Sequence, residues 1–245
     1  MQQPVKYFHK RLNSTNLYAN KLLVKQQVRQ PFWIRTDDQF AGKGQGNHTW
    51  ISEKEKNLTG TLVVFPNQIE ASRQFELSKC FALAAVSFLD LFIDEVYIKW
   101  PNDLYAGDKK IGGILIETAI LGKYLDHAIF GLGLNINQMI FSNELPNPVS
   151  IRLLTGIDYR LPEMETLFLE SFVNQYRLIE SEDFEVLDDE YVNRLYLINE
   201  FARYRASDKI FHAKILGVTE NGHLIVQTDA GAVQTFSYGE VEYIL

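Results

Sequence analysis

The chain has 245 residues, of which 46% are hydrophobic and 22% are charged. This composition excludes a disordered or fibrous protein, and the length suits one substantial core or a catalytic domain with a small appendage. The 24 Lys and Arg residues against 31 Asp and Glu residues leave a formal net charge of −7, which argues against a general nucleic-acid binder but leaves small anionic ligands open.

The single cysteine, Cys80, lies in an apolar stretch with helical spacing. No internal disulfide can form, so we interpret Cys80 as core filling in a reducing compartment. The first residues lack the apolar run of a secretory signal, and no segment has 18 uncharged apolar residues in succession. These features predict a cytoplasmic protein without a membrane segment.

The first half of the chain has an α/β pattern. Cap-forming residues at 14–16 followed by spaced leucines predict a first helix. Residues 31–38 and 58–66 predict strands on either side of a glycine-rich loop, and helical spacing predicts the longest helix over 71–91. Three apolar runs typical of central strands follow at 95–100, 110–118 and 127–136.

The second half begins with a polar, proline-containing loop over 137–150, and helical character follows over 161–179 and 184–197, with Pro162 suited to a first helical turn. From about Phe201 the sequence changes to short alternating segments broken by "ENG" and "DAG", which are typical of hairpins in a small β-barrel. We therefore predict a catalytic domain over 1–198 and a small β domain over 199–245.

The loop "GKGQG" at 42–46 matches neither the phosphate-binding P-loop nor the dinucleotide-binding fingerprint. By itself it indicates backbone N–H groups exposed to an anion or a polar ligand, or equally a mobile turn. Trp50 follows the loop; it could stack on a base, and a tryptophan at the start of a strand is also typical of the core.

The segment "KWPND" at 99–103 places a lysine at the end of an apolar strand and an amide and a carboxylate on the turn after it. Burying Lys99 without a partner is costly, so either an acidic side chain or a ligand anion must satisfy it. The alternatives are a ligand site at the strand end and a structural turn in which Asn102 and Asp103 shape the backbone.

Two glycine-containing strands add further candidates. Gly112 and Gly113 interrupt "KIGGILIE", where glycine is costly unless backbone or ligand must approach closely. "GLGLNIN" ends with Asn135 and Asn137, whose amides can both donate to and accept from a purine edge. Each could instead be a bulge or a cap. The lysines of "DKK" at 108–110 suit a phosphate or, more simply, a solvated surface.

In this order the motifs resemble biotin protein ligases. The resemblance extends from about residue 5 to 245, and "KWPND" is its most specific element. It implies an α/β catalytic domain similar to those of class II aminoacyl-tRNA synthetases and lipoate ligases, followed by an SH3-like domain. Residues 1–13 leave no room for the winged helix-turn-helix of the bifunctional repressor-ligases, so we expect no operator binding. The matching segments are 14–16, 39–50, 99–105, 110–117 and 131–137.

The family's reaction joins biotin and ATP into biotinyl-5′-adenylate and pyrophosphate, and then transfers biotin to a lysine of a biotin carrier domain, usually that of acetyl-CoA carboxylase. The resemblance implies that Lys99 is catalytic and that Mg²⁺ accompanies the pyrophosphate; it assigns neither the metal ligands nor an oligomeric state. The implied biotin-binding residues are Ser14, Thr15, Asn16, Gln39, Gly42, Lys43, Gly44, Gln45, Lys99, Gly112 and Gly113. The implied ATP and adenylate residues are Lys43, Gln45, Trp50, Lys99, Asn102 and Asn135.

The glycine loop departs from the family's arginine-rich pattern, because Lys43, Gln45 and His48 stand where many members have arginines. Loss of these planar cations removes bidentate phosphate contacts. Two competing hypotheses are a lipoate or octanoate transferase, which typically lacks "KWPND", and a biotin-binding module without turnover. We further expect the loop to become ordered only when biotin or the adenylate binds.

Overall fold

The computed structural model describes residues 3–25, 27–46, 48–143 and 145–244. Its strands form two large sheets and one short hairpin. In chain order the strands are β1 (Val5–Leu12), β2 (Phe32–Gln39), β3 (Gly42–Lys43), β4 (Thr49–Trp50), β5 (Leu58–Val64), β6 (Val96–Lys99), β7 (Asp103–Ala106), β8 (Lys109–Leu121), β9 (Tyr124–Leu134), β10 (Phe201–Ala206), β11 (Lys209–Val218), β12 (Leu224–Thr228), β13 (Val233–Phe236) and β14 (Glu242–Ile244).

Among the described residues, five α-helices accompany the sheets, and a 3₁₀ turn at Ala71–Arg73 leads into the second of them. Within the described ranges, none of the helices combines the length and apolar character needed to cross a membrane. The helices are α1 (Thr15–Lys25), α2 (Gln74–Leu89), α3 (Ile151–Thr155), α4 (Leu161–Glu180) and α5 (Phe184–Asn193).

The first sheet has seven strands in the order β1-β2-β5-β9-β8-β7-β6. The β1–β2 pair is parallel, and the other neighbours are antiparallel. Helices α2 and α4 cover one face, where Phe81 of α2 stacks on Phe130 of β9 at a centroid distance of 4.6 Å. Helix α1 covers part of the other face through Leu22 and Leu23. The remaining part of that face carries the candidate site.

The second sheet is entirely antiparallel, in the order β13-β12-β11-β10-β14. Its inner residues Tyr204, Ile215 and Val226 belong to the same buried cluster as α2 and α4, so one continuous core joins both sheets. This arrangement confirms the expected α/β catalytic fold with a small C-terminal β domain. The domain boundary at 198/199 stays a prediction.

The connector between the two sheets is itself paired with the edge of the first sheet. The Ile98 N–H donates to the Arg194 carbonyl at 2.7 Å, and the Tyr196 N–H donates to the Ile98 carbonyl at 2.9 Å. Leu195 forms a parallel bridge with Ile98. The sequence predicts that the last helix continues to residue 197, and this end is wrong. Helix α5 ends at Asn193, because the backbone of residues 194–196 pairs with β6.

Three elements were missing from the sequence-based prediction. Strand β1 alternates irregularly between apolar and charged residues, because it lies at an edge and buries few side chains. Strand β7 begins at Asp103, within the connection over 101–108 that the sequence pattern predicts between two strands. Helix α3 is only five residues long, too short for a periodic signal, although Ser150 caps it by accepting from the Leu153 N–H.

A buried ion network joins α2 to α5. The Lys79 side chain is 2% exposed and its ammonium lies 3.2 Å from the Glu76 carboxylate; it also contacts Asp188. Burial raises the pKa of Glu76, and the charge of Lys79 opposes this rise. None of these three residues lines the cavity described below, so the network bears on stability.

We expect Lys79→Met to lower the free energy of unfolding by about 3–5 kcal/mol near neutral pH, because it leaves the Glu76 carboxylate buried and unpaired. Protonated Glu76 needs no cation, and its pKa is raised in the folded state. The deficit should therefore shrink as the pH falls toward about 5. Urea unfolding at both pH values measures it. The double variant Lys79→Met/Glu76→Gln should recover most of the loss; a deficit independent of pH would contradict this explanation.

Candidate active site

A cavity of about 740 Å³ opens on the face of the first sheet that α1 only partly covers. Its floor is made by glycines in register, since Gly113 of β8 lies opposite Gly133 of β9. A Cβ atom at Gly133 would lie 2.3 Å from the Trp50 ring, and one at Gly131 would lie 2.5 Å from Asn16 Oδ1. These glycines therefore let side chains from the loop and from α1 lie directly on the strand backbone.

A hydrogen-bonded polar cluster forms one part of the cavity wall, where α1 begins. The Thr15 N–H and hydroxyl both donate to Gln39 Oε1, at 2.9 and 3.1 Å. Thr61 Oγ1 lies 2.7 Å from Thr15 Oγ1 and 2.6 Å from Asn16 Oδ1. The Asn16 amide donates to Glu117 at 3.0 Å. These contacts fix neutral donors and acceptors in place, which suits a neutral polar ligand group.

Lys99 enters the same cavity from the end of β6. Its ammonium donates to Tyr105 Oη at 3.0 Å and lies 4.9 Å from the ring centroids of both Tyr105 and Tyr243. Burial lowers the pKa of Lys99, the negative charge of Asp103 raises it, and the positive charge of Lys110 lowers it further. Across the described part of the chain, no carboxylate comes within ion-pair distance of Lys99. The positive charge of Lys99 is thus available to bind a ligand anion.

Lys110 is a second cation of the cavity, and its ammonium lies 2.6 Å from Asp103 Oδ1. Asp103, an acidic side chain close to Lys99 in sequence, is therefore paired with Lys110 and not with Lys99. The pattern "DKK" favours a solvated surface, whereas the structure places Lys110 in the lining of the cavity. Lys110 Nζ is held over the glycine floor by this ion pair, because Asp103 is paired in register with Gly113.

Most residues singled out by sequence lie around this one cavity. The sequence-predicted residues that line it are Ser14, Thr15, Asn16, Gln39, Lys43, Gly44, Gln45, Trp50, Lys99, Asn102, Gly113 and Asn135. Two others do not line it. A Cβ atom at Gly112 would lie 2.5 Å from a Leu134 methyl group on the core side, and one at Gly42 would lie 2.7 Å from the Trp50 carbonyl oxygen. Packing within the protein thus accounts for the small size of Gly112 and Gly42, and their contact with biotin stays a prediction.

The three asparagines use their amides within the fold. The Asn102 amide donates to the Ile114 carbonyl at 2.8 Å, which fits the alternative of a structural turn. The Asn135 amide donates to the Val149 carbonyl at 3.0 Å and borders the cavity. Asn137 exchanges two hydrogen bonds with the Tyr159 backbone, at 2.7 and 2.9 Å. Both polar atoms of the Asn137 amide are therefore occupied, and it is not a candidate reader of a purine.

The glycine loop folds as the hairpin of β3 and β4 above the floor. The Gly44 N–H donates to the His48 carbonyl at 2.8 Å, and Gly46 has a φ of +62°. Asn47 lies outside the described residues. Trp50 is half-buried, and its indole N–H has no hydrogen-bond partner among the residues that the structure describes. The ring is thus both a support for the loop and a wall of the cavity.

Several cavity residues had no usable sequence signal. Phe141, Leu145, Pro146 and Pro148 form an apolar wall within a segment that was read only as a polar loop. Tyr238, Glu242 and Tyr243 come from the second sheet, far along the chain. Long-range packing, which composition and spacing do not encode, brings them to the site.

The model of the biotin/lipoate A/B protein ligase family matches residues 8–135, more than half of the chain. The matched segment contains the polar cluster, the glycine loop, Lys99 and the floor. The chain belongs to the biotin/lipoate A/B protein ligase family. A second model, the biotin protein ligase C-terminal domain, matches residues 203–243 of this ligase.

Relatives of the ligase cover almost its whole length. It is 28% identical to a biotin--[acetyl-CoA-carboxylase] ligase of Paracoccus denitrificans over 90% of this chain and 93% of that protein. It is 25% identical to the bifunctional ligase/repressor BirA of Bacillus subtilis, over 94% of this chain and 71% of that protein. The expectation of a biotin protein ligase is confirmed: the ligase forms biotinyl-5′-AMP and transfers biotin to a carrier protein.

The fold of the ligase also matches solved structures. The biotin protein ligase of Aquifex aeolicus in complex with biotin and ATP superposes with a TM-score of 0.80, at 22% identity, over 98% of this chain and 99% of that chain. The biotin protein ligase of Leishmania major in complex with biotinyl-5-AMP superposes with a TM-score of 0.67, over 96% and 99% of the two chains.

Proposed function

We propose that this ligase activates biotin with ATP in the cavity on the glycine floor, with Lys99 as the catalytic residue. The observation that carries this proposal is the state of Lys99: a partly buried ammonium, fixed by two tyrosines, with no ion-paired carboxylate in the described ranges. Such a cation is ready to neutralise negative charge that enters with a ligand.

In the first step a biotin carboxylate oxygen forms a bond to the α-phosphorus of ATP, and the bond from that phosphorus to the bridging oxygen breaks. Pyrophosphate leaves with the bond's electrons. The reactants are two anions, so the barrier is chiefly electrostatic, and Lys99 lowers their repulsion and stabilises the charge that develops on the phosphoryl oxygens. No proton has to be transferred in this step, and no acid–base pair is needed.

In the second step the neutral amine of a carrier lysine attacks the acyl carbon of biotinyl-5′-AMP. A C–N bond forms, the C–O bond to phosphate breaks, and AMP leaves as an anion while the amine proton passes to solvent. Lys99 again faces the leaving phosphate. The same cation therefore serves both steps, once for an anionic nucleophile and once for an anionic leaving group.

The substrates are assigned to the two parts of the cavity by polarity. The neutral cluster of Ser14, Thr15, Asn16 and Gln39 suits the ureido ring of biotin, because it offers fixed donors and acceptors without charge. The cations Lys99 and Lys110 suit the carboxylate and the phosphates. Loop residues Lys43, Gly44 and Gln45 close over biotin, with Gly113 beneath it. The nucleotide side comprises Lys43, Gln45, Trp50, Lys99, Asn102 and Asn135.

Magnesium enters this scheme as part of the substrate MgATP. The described residues contain no group of three or more His, Cys, Asp or Glu side chains that could hold a metal ion. Mg²⁺ often keeps several waters and binds through substrate phosphates with one or two carboxylates, so the residues present are compatible with a metal carried by the nucleotide.

The acceptor protein is proposed to be the biotin carrier of acetyl-CoA carboxylase, acting in the cytoplasm. Support comes from the Paracoccus denitrificans relative, whose name specifies that carboxylase. The single buried Cys80 is compatible with a reducing compartment.

The decisive experiment mixes the purified protein with biotin, MgATP and a carrier domain. Biotin-dependent pyrophosphate release and a mass increase on the carrier are expected. Lipoate in place of biotin, and a carrier whose target lysine is replaced by arginine, are the matched controls. A mass increase with lipoate but none with biotin would overturn the assignment of the substrate.

We also expect a pH dependence with a defined direction. Lys99 acts as a cation, so kcat/KM for biotin should fall as the pH rises through the pKa of Lys99, which burial places below the usual lysine value. Asp103→Asn removes a charge that raises this pKa and should move the fall to lower pH. Lys110→Met removes a charge that lowers it and should move the fall to higher pH. Profiles that superpose for all three proteins would contradict this role of Lys99.

A further inference from the structure

Lys99 is held by aromatic rings that come from both sheets. Tyr105 belongs to β7 of the first sheet and Tyr243 to β14 of the second, and each ring centroid lies 4.9 Å from the Lys99 ammonium. A cation within about 6 Å of a tyrosine ring is attracted to it, and the attraction is stronger where water is excluded. The second sheet therefore contributes directly to the surroundings of Lys99.

The ring of Tyr243, rather than its hydroxyl, makes this contribution. The Tyr243 hydroxyl oxygen is buried and has no hydrogen-bond partner among the described residues, whereas the Tyr105 hydroxyl accepts from Lys99. A buried hydroxyl without a partner is costly. Removing the Tyr243 hydroxyl while keeping its ring should thus leave the site intact.

The ring is fixed in position by the second sheet. Tyr243 is paired in register with Tyr204 of β10, and the two ring centroids are 5.2 Å apart. The turn that follows Lys99 is tied to the same sheet, because the Trp100 indole donates to the Gly222 carbonyl at 2.9 Å. Lys99 and Tyr243 are therefore parts of one connected unit across the junction of the sheets.

We propose that Tyr243 is a positioning residue for Lys99: its ring holds the ammonium over the cavity without neutralising it, so that the second sheet takes part in adenylation. A carboxylate at this place would hold Lys99 equally well but would cancel the charge that the reaction uses. An aromatic face supplies attraction while leaving the net positive charge in place. This inference rests on the proposed function of Lys99 and adds the residue that places it.

The first test compares Tyr243→Leu with Tyr243→Phe in the biotin-dependent pyrophosphate assay. We expect Tyr243→Leu to lower kcat by about 10- to 30-fold with a smaller change in the KM for biotin, in the range of a desolvated cation–π contact. Tyr243→Phe should retain kcat within about twofold of the unaltered protein, because the ring is kept. Equal losses in both variants, or none in either, would overturn the inference.

The second test asks whether Tyr243 acts through Lys99. In a Lys99→Met background, Tyr243→Leu should cause no further loss, since the cation that the ring holds is gone. A full additional loss would show that Tyr243 supports the fold instead.

A third series covers the case in which Tyr243→Leu does not fold. Phenylalanine with increasing numbers of ring fluorines at position 243 keeps the shape and weakens the negative face of the ring. We expect kcat to fall stepwise along this series, and a flat series would overturn the inference. Absence of adenylation by the unaltered protein would instead refute the proposed function.

Discussion

Replacing Lys99 with methionine is expected to lower the rate of biotinyl-5′-AMP formation by about 10²-fold or more, the range observed when one preorganised transition-state contact is removed. Methionine keeps most of the apolar stem between Tyr105 and Tyr243 and removes only the charge. Lys99 has no ion-paired carboxylate in the described ranges, so its loss leaves no buried anion behind. The fold should therefore survive and the chemistry should not.

Single-turnover pyrophosphate release with saturating biotin and MgATP measures this effect. Lys110→Met is the matched control, because Lys110 lines the same cavity but is paired with Asp103. We expect a smaller loss for Lys110→Met, expressed mainly in the KM for ATP. Equal losses in the two variants would mean that the number of cations matters and their position does not. Unchanged turnover in Lys99→Met would remove Lys99 from the mechanism.

The second large effect is expected at the cavity floor. Gly133→Ala places a methyl group where it would lie 2.3 Å from the Trp50 ring, so the ring and the hairpin of β3 and β4 must move. A displacement of about 1 Å in a group that orients substrate can cost about 10²-fold in rate. We expect a loss of this size in kcat/KM for biotin, although the substitution adds only one carbon atom.

Trp50 provides the control for this prediction. In a Trp50→Ala background the added methyl group meets no ring, so Gly133→Ala should cause little further loss. Gly113→Ala is a second control: its Cβ atom would meet only ordinary contacts, 3.7 Å or more from the protein. Any loss in Gly113→Ala must therefore come from contact with the ligand. A harmless Gly133→Ala would show that Trp50 need not lie on the strand.

Much of the site could be predicted from the sequence, because several of its residues are unfavourable at their own positions in a strand. Gly131 and Gly133 interrupt a strand, and Lys99 ends one, so each stands out against the expected pattern. The sequence could not predict the pairing of Lys110 with Asp103 or the contact of Tyr243 with Lys99. These depend on strand register and on packing between the sheets. The glycine pair at 112 and 113 illustrates the limit, since successive residues of a strand face opposite sides and only Gly113 borders the cavity.

The fold was predictable where burial is strong. Helices α2 and α4 bury long apolar sets whose helical spacing predicts their positions, and strand β5 is buried at all seven of its residues. Edge strand β1 and short strand β7 bury too little to produce such a pattern. The roles of Gln45 and His48 in place of arginines stay predictions, although Gln45 and His48 both line the cavity.

The pairing of the connector with β6 has a consequence for how the ligase can be divided. Arg194 and Tyr196 share backbone hydrogen bonds with Ile98, one residue before Lys99. A protein cut after residue 198 would keep the connector that pairs with β6. It would lose the second sheet, and with it Tyr243 and the Gly222 carbonyl that accepts from the Trp100 indole. Such a fragment would carry every motif of the family's catalytic domain and a loosely held Lys99. We therefore expect the minimal catalytic unit to be larger than the segment that contains the recognisable motifs.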